Sequence, residues 1–195
     1  MFLEAVDLPS TSVLSSDVDA AFPVLVAAMA QPVYTLALRV CGRDEAEDIA
    51  QEAFVRAYKA LLDYSPDRRQ KLEVRPWVLT IALNVARNRL RSGGREVLVD
   101  ATAMDATSAA NNHAAASPEV AAEGDDLRSR LITALRRLPP SSREAVVLRH
   151  VVGCPVAEVA EILGRPLGTV KTQVWRGLAA LRRDLESDPV NWGER

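Results

Sequence analysis

The sequence predicts an all-α protein, two small helical domains joined by a flexible acidic linker. Three observations carry this expectation. Apolar residues recur at helical spacing in both halves of the 195-residue chain, whereas the strict alternation of a half-buried strand extends nowhere over a useful length. A middle stretch, Ala101 to Ser117, consists of Ala, Ser, Thr and Asn with almost no large apolar residue, too little to offset its ordering entropy. The charges divide at the same places. Eight basic residues against one acid, Glu73, give Arg68 to Arg95 a net +7, and eleven against five give Leu127 to Glu186 a net +6. Between them, Glu96 to Asp126 holds seven acids and no Lys or Arg, a net -7.

The elements follow in order. Residues 1–19 read as a loose N-terminal extension, and residues 20–95 as the first domain. There Val33, Leu36, Ala37, Val40 and Cys41 line one helical face. A second helix is expected from Asp44 to Leu62, with Ile49, Phe54, Tyr58, Leu61 and Leu62 apolar. It begins with Asp44, Glu45, Glu47 and Asp48, and a helix N-terminus favours negative charge. A third helix is expected from Pro76 to Arg91 with Trp77, Ile81, Val85 and Leu90 inward. On it Asn84, Arg87, Asn88 and Arg91 share a face at i, i+3, i+4 and i+7, which suits phosphate contacts and hydrogen bonds to unstacked base edges. Trp77 fits a core position better than a stacking platform. Gly93-Gly94 opens the linker, residues 96–117. Ser117-Pro118-Glu119 then starts the second domain, residues 118–187, with Pro at the first helical position, and residues 188–195 form a tail.

In the second domain Leu138-Pro139-Pro140 ends one helix, and Ser141 or Ser142 is expected to cap the next, which carries Val146, Val147 and Leu148. A short helix from Pro155 to Leu163 stops at Gly164. After the turn Gly164-Arg165-Pro166-Leu167-Gly168, a longer helix runs from Thr169 to Leu185, with Val170, Val174, Gly177, Leu178 and Leu181 as its apolar stripe. Helix, short glycine-containing turn, helix is the helix-turn-helix arrangement. With the stripe inward, Lys171, Thr172, Gln173, Trp175 and Arg176 project outward near the helix N-terminus, the part that meets base edges in such motifs. Lys and Arg suit phosphates or guanine, Gln suits adenine, and the Thr methyl suits the thymine methyl. The plainer alternative is an αα-hairpin with a solvated basic face, which leaves an exposed tryptophan between two cations unexplained.

Composition excludes other classes. With 48% hydrophobic and 26% charged residues the chain is not disordered throughout. Its first thirty residues contain no Lys or Arg, unlike a signal peptide, and Pro23 is expected to interrupt the apolar stretch Ala20 to Ala30. Neither secretion nor membrane insertion is expected. Cys41 and Cys154, far apart in sequence, fit a reducing compartment, and the expected location is the cytoplasm. No phosphate loop, Gly-x-Ser-x-Gly elbow or HExxH motif occurs, so no enzyme, cofactor or catalytic residue is expected. His150 and Cys154 are four apart, but Gly153 and Pro155 oppose continuous helix there, and no metal site is expected.

Together these segments resemble one family. LPPSSREAVVLRHVVGCPVAEVAEILGRPLGTVKTQVWRGLAALRRDL, Leu138 to Leu185, resembles region 4 of the extracytoplasmic-function (ECF) sigma factors of bacterial RNA polymerase. GRDEAEDIAQEAFVRAYKAL, Gly42 to Leu61, is similar to their region 2.2, and RPWVLTIALNVARNRLRS, Arg75 to Ser92, to regions 2.3 and 2.4. The resemblance implies a non-catalytic initiation factor that binds core RNA polymerase, recognises minus-ten and minus-thirty-five promoter elements and helps melt DNA. It implies that Asp48, Gln51, Glu52 and Phe54 dock on the clamp helices of the largest polymerase subunit, with the flap region as a further contact. It also implies that Asn84, Arg87, Asn88, Arg91 and Trp77 serve the melted minus-ten strand. Arg165, Thr169, Lys171, Thr172, Gln173, Trp175 and Arg176 would serve the minus-thirty-five duplex. The loop Tyr64 to Val74 matches the loop that captures a flipped base and is longer than is usual for the group. Pro155 replaces a usual polar cap, and Trp175 stands where a basic or small residue is more common. An anti-sigma factor is an expected partner, and the acidic linker is expected to thread toward the RNA exit path. The free form is expected to bind DNA weakly until polymerase separates its parts. The rival reading is a stand-alone helix-turn-helix regulator, which would usually dimerise on a palindrome.

Overall fold

Among the residues described, 8–96 and 129–187 of the computed structural model, no strand occurs. The interior of the expected linker, the start at Ser117-Pro118-Glu119 and the tail lie outside the described residues. α1 (Thr11–Ser16) and α2 (Val18–Val40) meet at Asp17, whose carboxylate accepts a hydrogen bond from Ala20 N at 3.0 Å and caps α2. α2 runs through both Pro23 and Pro32, so the expected interruption does not occur. By length and a mean hydropathy of 1.6 it would pass for a membrane span. Its Val18, Leu25, Met29, Val33, Leu36 and Val40 are instead buried in a helical core, packed on α3 and α5.

Gly42, at φ 113°, leads into α3 (Arg43–Asp63) in a conformation that glycine adopts without strain. α3 turns Ala46, Ile49, Ala53, Ala57 and Leu61 inward, and the small alanines let neighbouring helices approach closely. Leu62, expected inside, is half exposed. α4 (Pro66–Gln70) lies within the long loop, and α5 (Val74–Glu96) follows. α5 continues through Gly93 and Gly94, which the sequence reading made the start of the linker. Its buried residues include Val78, Leu79, Ala82, Leu83, Val85 and Ala86, while Leu90 is exposed. The inward face is thus broader than the expected stripe, because α5 packs on α2, α3 and α8 together.

Among the described residues the second domain opens with a helix across 129–137, α6. α7 (Pro140–Val146) has Pro139 as its N-cap and Pro140 in its first turn; neither serine caps it, and Ser142 is buried. A π-helical turn, Val147–Val151, continues it, with Val152 N donating to Val147 O at 2.9 Å. α8 (Val156–Leu163) starts after Pro155 without a side-chain cap and ends at Gly164 in the left-handed conformation. α9 (Leu167–Glu186) starts two residues earlier than expected, so Thr169 lies in its first turn. Val170, Gly177 and Leu181 are buried, but Leu178 is exposed. At Gly177 a Cβ would come within 2.5 Å of Val146 Cγ2, so glycine here allows α9 to lie against α7.

A further expectation is corrected. The N-terminal extension is not loose over its described part, because Leu14 is fully buried and α1 packs on both α2 and α4. Between the two domains α5 packs on α8 and α2 packs on the π-helical turn, and their buried residues form one continuous cluster.

Candidate nucleic-acid interface

The helix-turn-helix is α8 and α9. Gly164 at φ 61° reverses the chain, and Val159, Ile162, Leu163 and Val170 close the apolar seam between the two helices. Thr169, Lys171, Thr172, Trp175 and Arg176 are exposed on the first half of α9, with Trp175 at 70% exposure. Thr172 Oγ1 donates to Gly168 O at 2.9 Å. Gln173 is half-buried because its Oε1 accepts from Arg165 Nη1 at 3.0 Å. Five of the seven expected residues thus form an exposed ridge, and two are tied together beside it.

On α5, Asn84, Asn88 and Arg91 are exposed, and Asn88 Oδ1 accepts from Arg91. Arg87 points elsewhere. Its Nε and Nη2 donate to Glu144 Oε1 and Oε2 at 2.8 and 2.7 Å, a two-bond pair that raises the guanidinium pKa further. Arg165 Nη2 lies 3.6 Å from the same Oε2. One buried carboxylate therefore holds a cation from each expected DNA surface. A second tie lies nearby, where Arg75 Nη2 donates to Val152 O at 3.1 Å and Arg75 Nε sits 3.1 Å from Glu158 Oε1. Arg143 Nη1 also reaches Val40 O, at 3.4 Å. Sequence reasoning missed Glu144, and the signal was available: a lone acid before the apolar run Ala145 to Leu148, where a carboxylate needs a partner.

The long loop, α5 and α8 together enclose a cleft of about 710 Å³, lined by Arg68, Lys71, Leu72, Trp77 and Thr80 and by the acids Asp67, Glu73 and, from α8, Glu161. Arg68 Cζ lies 3.7 Å from the Tyr64 ring centroid, and the Tyr64 and Trp77 rings are 6.0 Å apart. Trp77 is half-buried, packing on the core and lining the cleft at once.

On α3, Asp48 and Gln51 are exposed, Glu52 is half-buried and pairs with Arg56, and Phe54 packs partly against the core. The two thiols offer no nucleophile. Burial pushes Cys41 up to about 11 and Cys154 up to about 12, so neither forms a thiolate near neutral pH.

The family models for Sigma-70 region 2 and Sigma-70 region 4 match residues 25–96 and 128–181. The RNA polymerase sigma-H factor of Pseudomonas aeruginosa is 33% identical over 171 residues, 85% of this chain and 86% of the relative. The ECF RNA polymerase sigma factor SigW of Bacillus subtilis is 32% identical over 170 residues, 85% of this chain and 89% of the relative. The chain belongs to the ECF sigma factors of bacterial RNA polymerase. This family consists of non-enzymatic transcription initiation factors that act with RNA polymerase in the cytoplasm.

The solved structures agree with this ECF sigma factor's fold. CnrH in complex with the cytosolic domain of CnrY superimposes with a TM-score of 0.66 at 26% identity, covering 94% of this chain and all of that one. The sigma factor RpoE of Bartonella quintana, bound to the anti-sigma factor NepR, gives 0.67 at 22% identity, covering 86% of this chain and 98% of that one, a likeness of fold alone. In this sigma factor α2 to α5 carry region 2 and α6 to α9 carry region 4, with α1 packed beside the former.

Proposed function

We propose that this sigma factor rests in a closed form that withholds Arg87 and Arg165 from promoter DNA, and that binding to core polymerase opens it. The single observation that carries this reading is the shared carboxylate of Glu144, which pairs with Arg87 of region 2 and lies within ion-pair distance of Arg165 of region 4. In the open form Asn84, Arg87, Asn88 and Arg91 hold the melted minus-ten strand by phosphate and base-edge contacts. The cleft beside Trp77 receives one flipped base, whose extrusion costs a few kcal/mol that pocket contacts offset. The ridge Thr169, Lys171, Thr172, Trp175 and Arg176, completed by Arg165 and Gln173, enters the major groove at minus-thirty-five. Asp48, Gln51, Glu52 and Phe54 dock on the clamp helices, and region 4 meets the flap. The linker acids, set toward the RNA exit path, mimic nucleic acid. The protein itself catalyses nothing, needs no cofactor or metal, and does not insert into a membrane.

An anti-sigma factor is a fitting additional partner, since CnrH was solved in complex with the cytosolic domain of CnrY. Footprinting tests the whole reading. Protection of two elements about two helical turns apart only when core polymerase is present is the expected result; tight palindromic binding by the isolated protein would make it a stand-alone regulator instead.

A further inference from the structure

The helix α4 raises a physical question. A helix of five residues is unstable by itself, and α4 contributes no buried residue. Local chemistry holds one end: Pro66 presets the first turn, and Ser65 Oγ accepts from Arg68 N at 3.4 Å. α4 also packs on α1, and the side-chain hydrogen bonds that join it to α3 and α1 come from Arg69. Arg69 Nε donates to Leu61 O at 2.9 Å and to Tyr64 O at 3.0 Å, and its Nη1 donates to Ser15 O at 3.3 Å. Two of these carbonyls belong to the C-terminal end of α3 and its cap, and the third to the last turn of α1. Such groups lack helical partners and carry partial negative charge, so a guanidinium suits them. Beneath, α1 is anchored by the fully buried Leu14.

The neighbouring residue faces the other way. Arg68 stacks over Tyr64 and lines the cleft, together with Lys71 and Trp77. Consecutive helical positions point about 100° apart, so the rotation of α4 that seats Arg69 on α1 also aims Arg68 at the cleft.

We propose that Arg69 is a positioning residue for minus-ten base preference: it ties α1, the end of α3 and α4 into one body, and α1 thereby shapes the cleft without touching DNA. The proposal rests on the reading of that cleft as the flipped-base pocket. Lysine cannot substitute, because a point charge does not span three carbonyls as a planar fork does.

The test uses the full-length protein with core polymerase, in run-off transcription from promoters randomised across minus-ten, with a fixed minus-thirty-five element. Arg69→Ala and Arg69→Lys are each expected to flatten the base preference at the captured position by roughly three- to tenfold. Core affinity and minus-thirty-five discrimination stay at the wild-type level, and hydrogen exchange rises in 11–16 and 65–70. A merely destabilised protein would lose transcription evenly at all promoters, and that outcome overturns the proposal. Arg68→Ala and Lys71→Ala separate the two layers. If they alter base preference while Arg69→Ala leaves it intact, the positioning role is wrong and the pocket stands. If none of the variants alters it, the pocket reading fails and the proposal falls with it.

Discussion

Arg87 on α5 and Glu144 on α7 form a two-bond ion pair across the boundary between region 2 and region 4, with the glutamate side chain 7% and the arginine 29% exposed. The geometry is bidentate and the carboxylate is nearly dry, so the pair differs from a surface salt bridge in specificity and in resistance to salt. Glu144→Ala leaves Arg87 and Arg165 facing each other without the shared acceptor, at a cost of about 1–3 kcal/mol to the closed form. The expected result is a larger radius of gyration by small-angle scattering and tighter binding of the isolated protein to DNA at low salt. An unchanged radius would show that apolar contacts alone hold the domains together.

On the exposed ridge of α9, Arg176→Ala is expected to weaken transcription from minus-thirty-five-dependent promoters by about 1–3 kcal/mol if Arg176 reads a base. Promoters that depend mainly on minus-ten should respond less. Equal losses at every minus-thirty-five sequence would assign Arg176 to a phosphate instead.

Gly177→Ala inserts a methyl where Val146 Cγ2 is 2.5 Å away and Ser142 Cβ and O are each at 3.4 Å. Overpacking costs about 1–3 kcal/mol, and the better helix propensity of alanine returns up to about 1 kcal/mol. Thermal unfolding should therefore shift down. A stabilised variant would mean that α9 can move away from α7 without penalty.

The two thiols make stability fall with rising pH on the alkaline side. Burial raises Cys154 from 9.0 to about 12 and Cys41 from 9.0 to about 11. Above pH 9 the unfolded chain releases these protons while the folded one keeps them, so the folded state binds more protons and loses stability as pH rises. Below pH 9 the contribution is constant. Urea unfolding midpoints at pH 8 and pH 10.5 should diverge in the wild type and converge in the Cys41→Ala/Cys154→Ala double variant; equal slopes in both proteins would assign the loss to other groups.

Much of the helical framework was legible because it rests on local rules. The periodicity of Val33 to Cys41 placed α2, and Gly164 marked the end of α8, since each signal lies within one or two turns of chain. Face assignments were less reliable. Leu62, Leu90 and Leu178 repeat at helical spacing yet lie exposed, because which arc of a helix is covered depends on how many partners it has. Ser141 and Ser142 were good capping residues by composition, but Pro139 and Pro140 start α7 first.

The sequence by itself determined the family, the helical class, the order of region 2 and region 4, and the ridge on α9, all carried by contiguous residues whose chemistry speaks locally. Only the tertiary structure decided that Arg87 and Arg165 share Glu144, that Arg69 joins α1 to α4, and that the domains have one continuous core. The first of these relations spans 57 residues of chain and the second 54. Charge counting could register the basic blocks, but a partner chosen by folding across such distances leaves no periodic trace in the sequence.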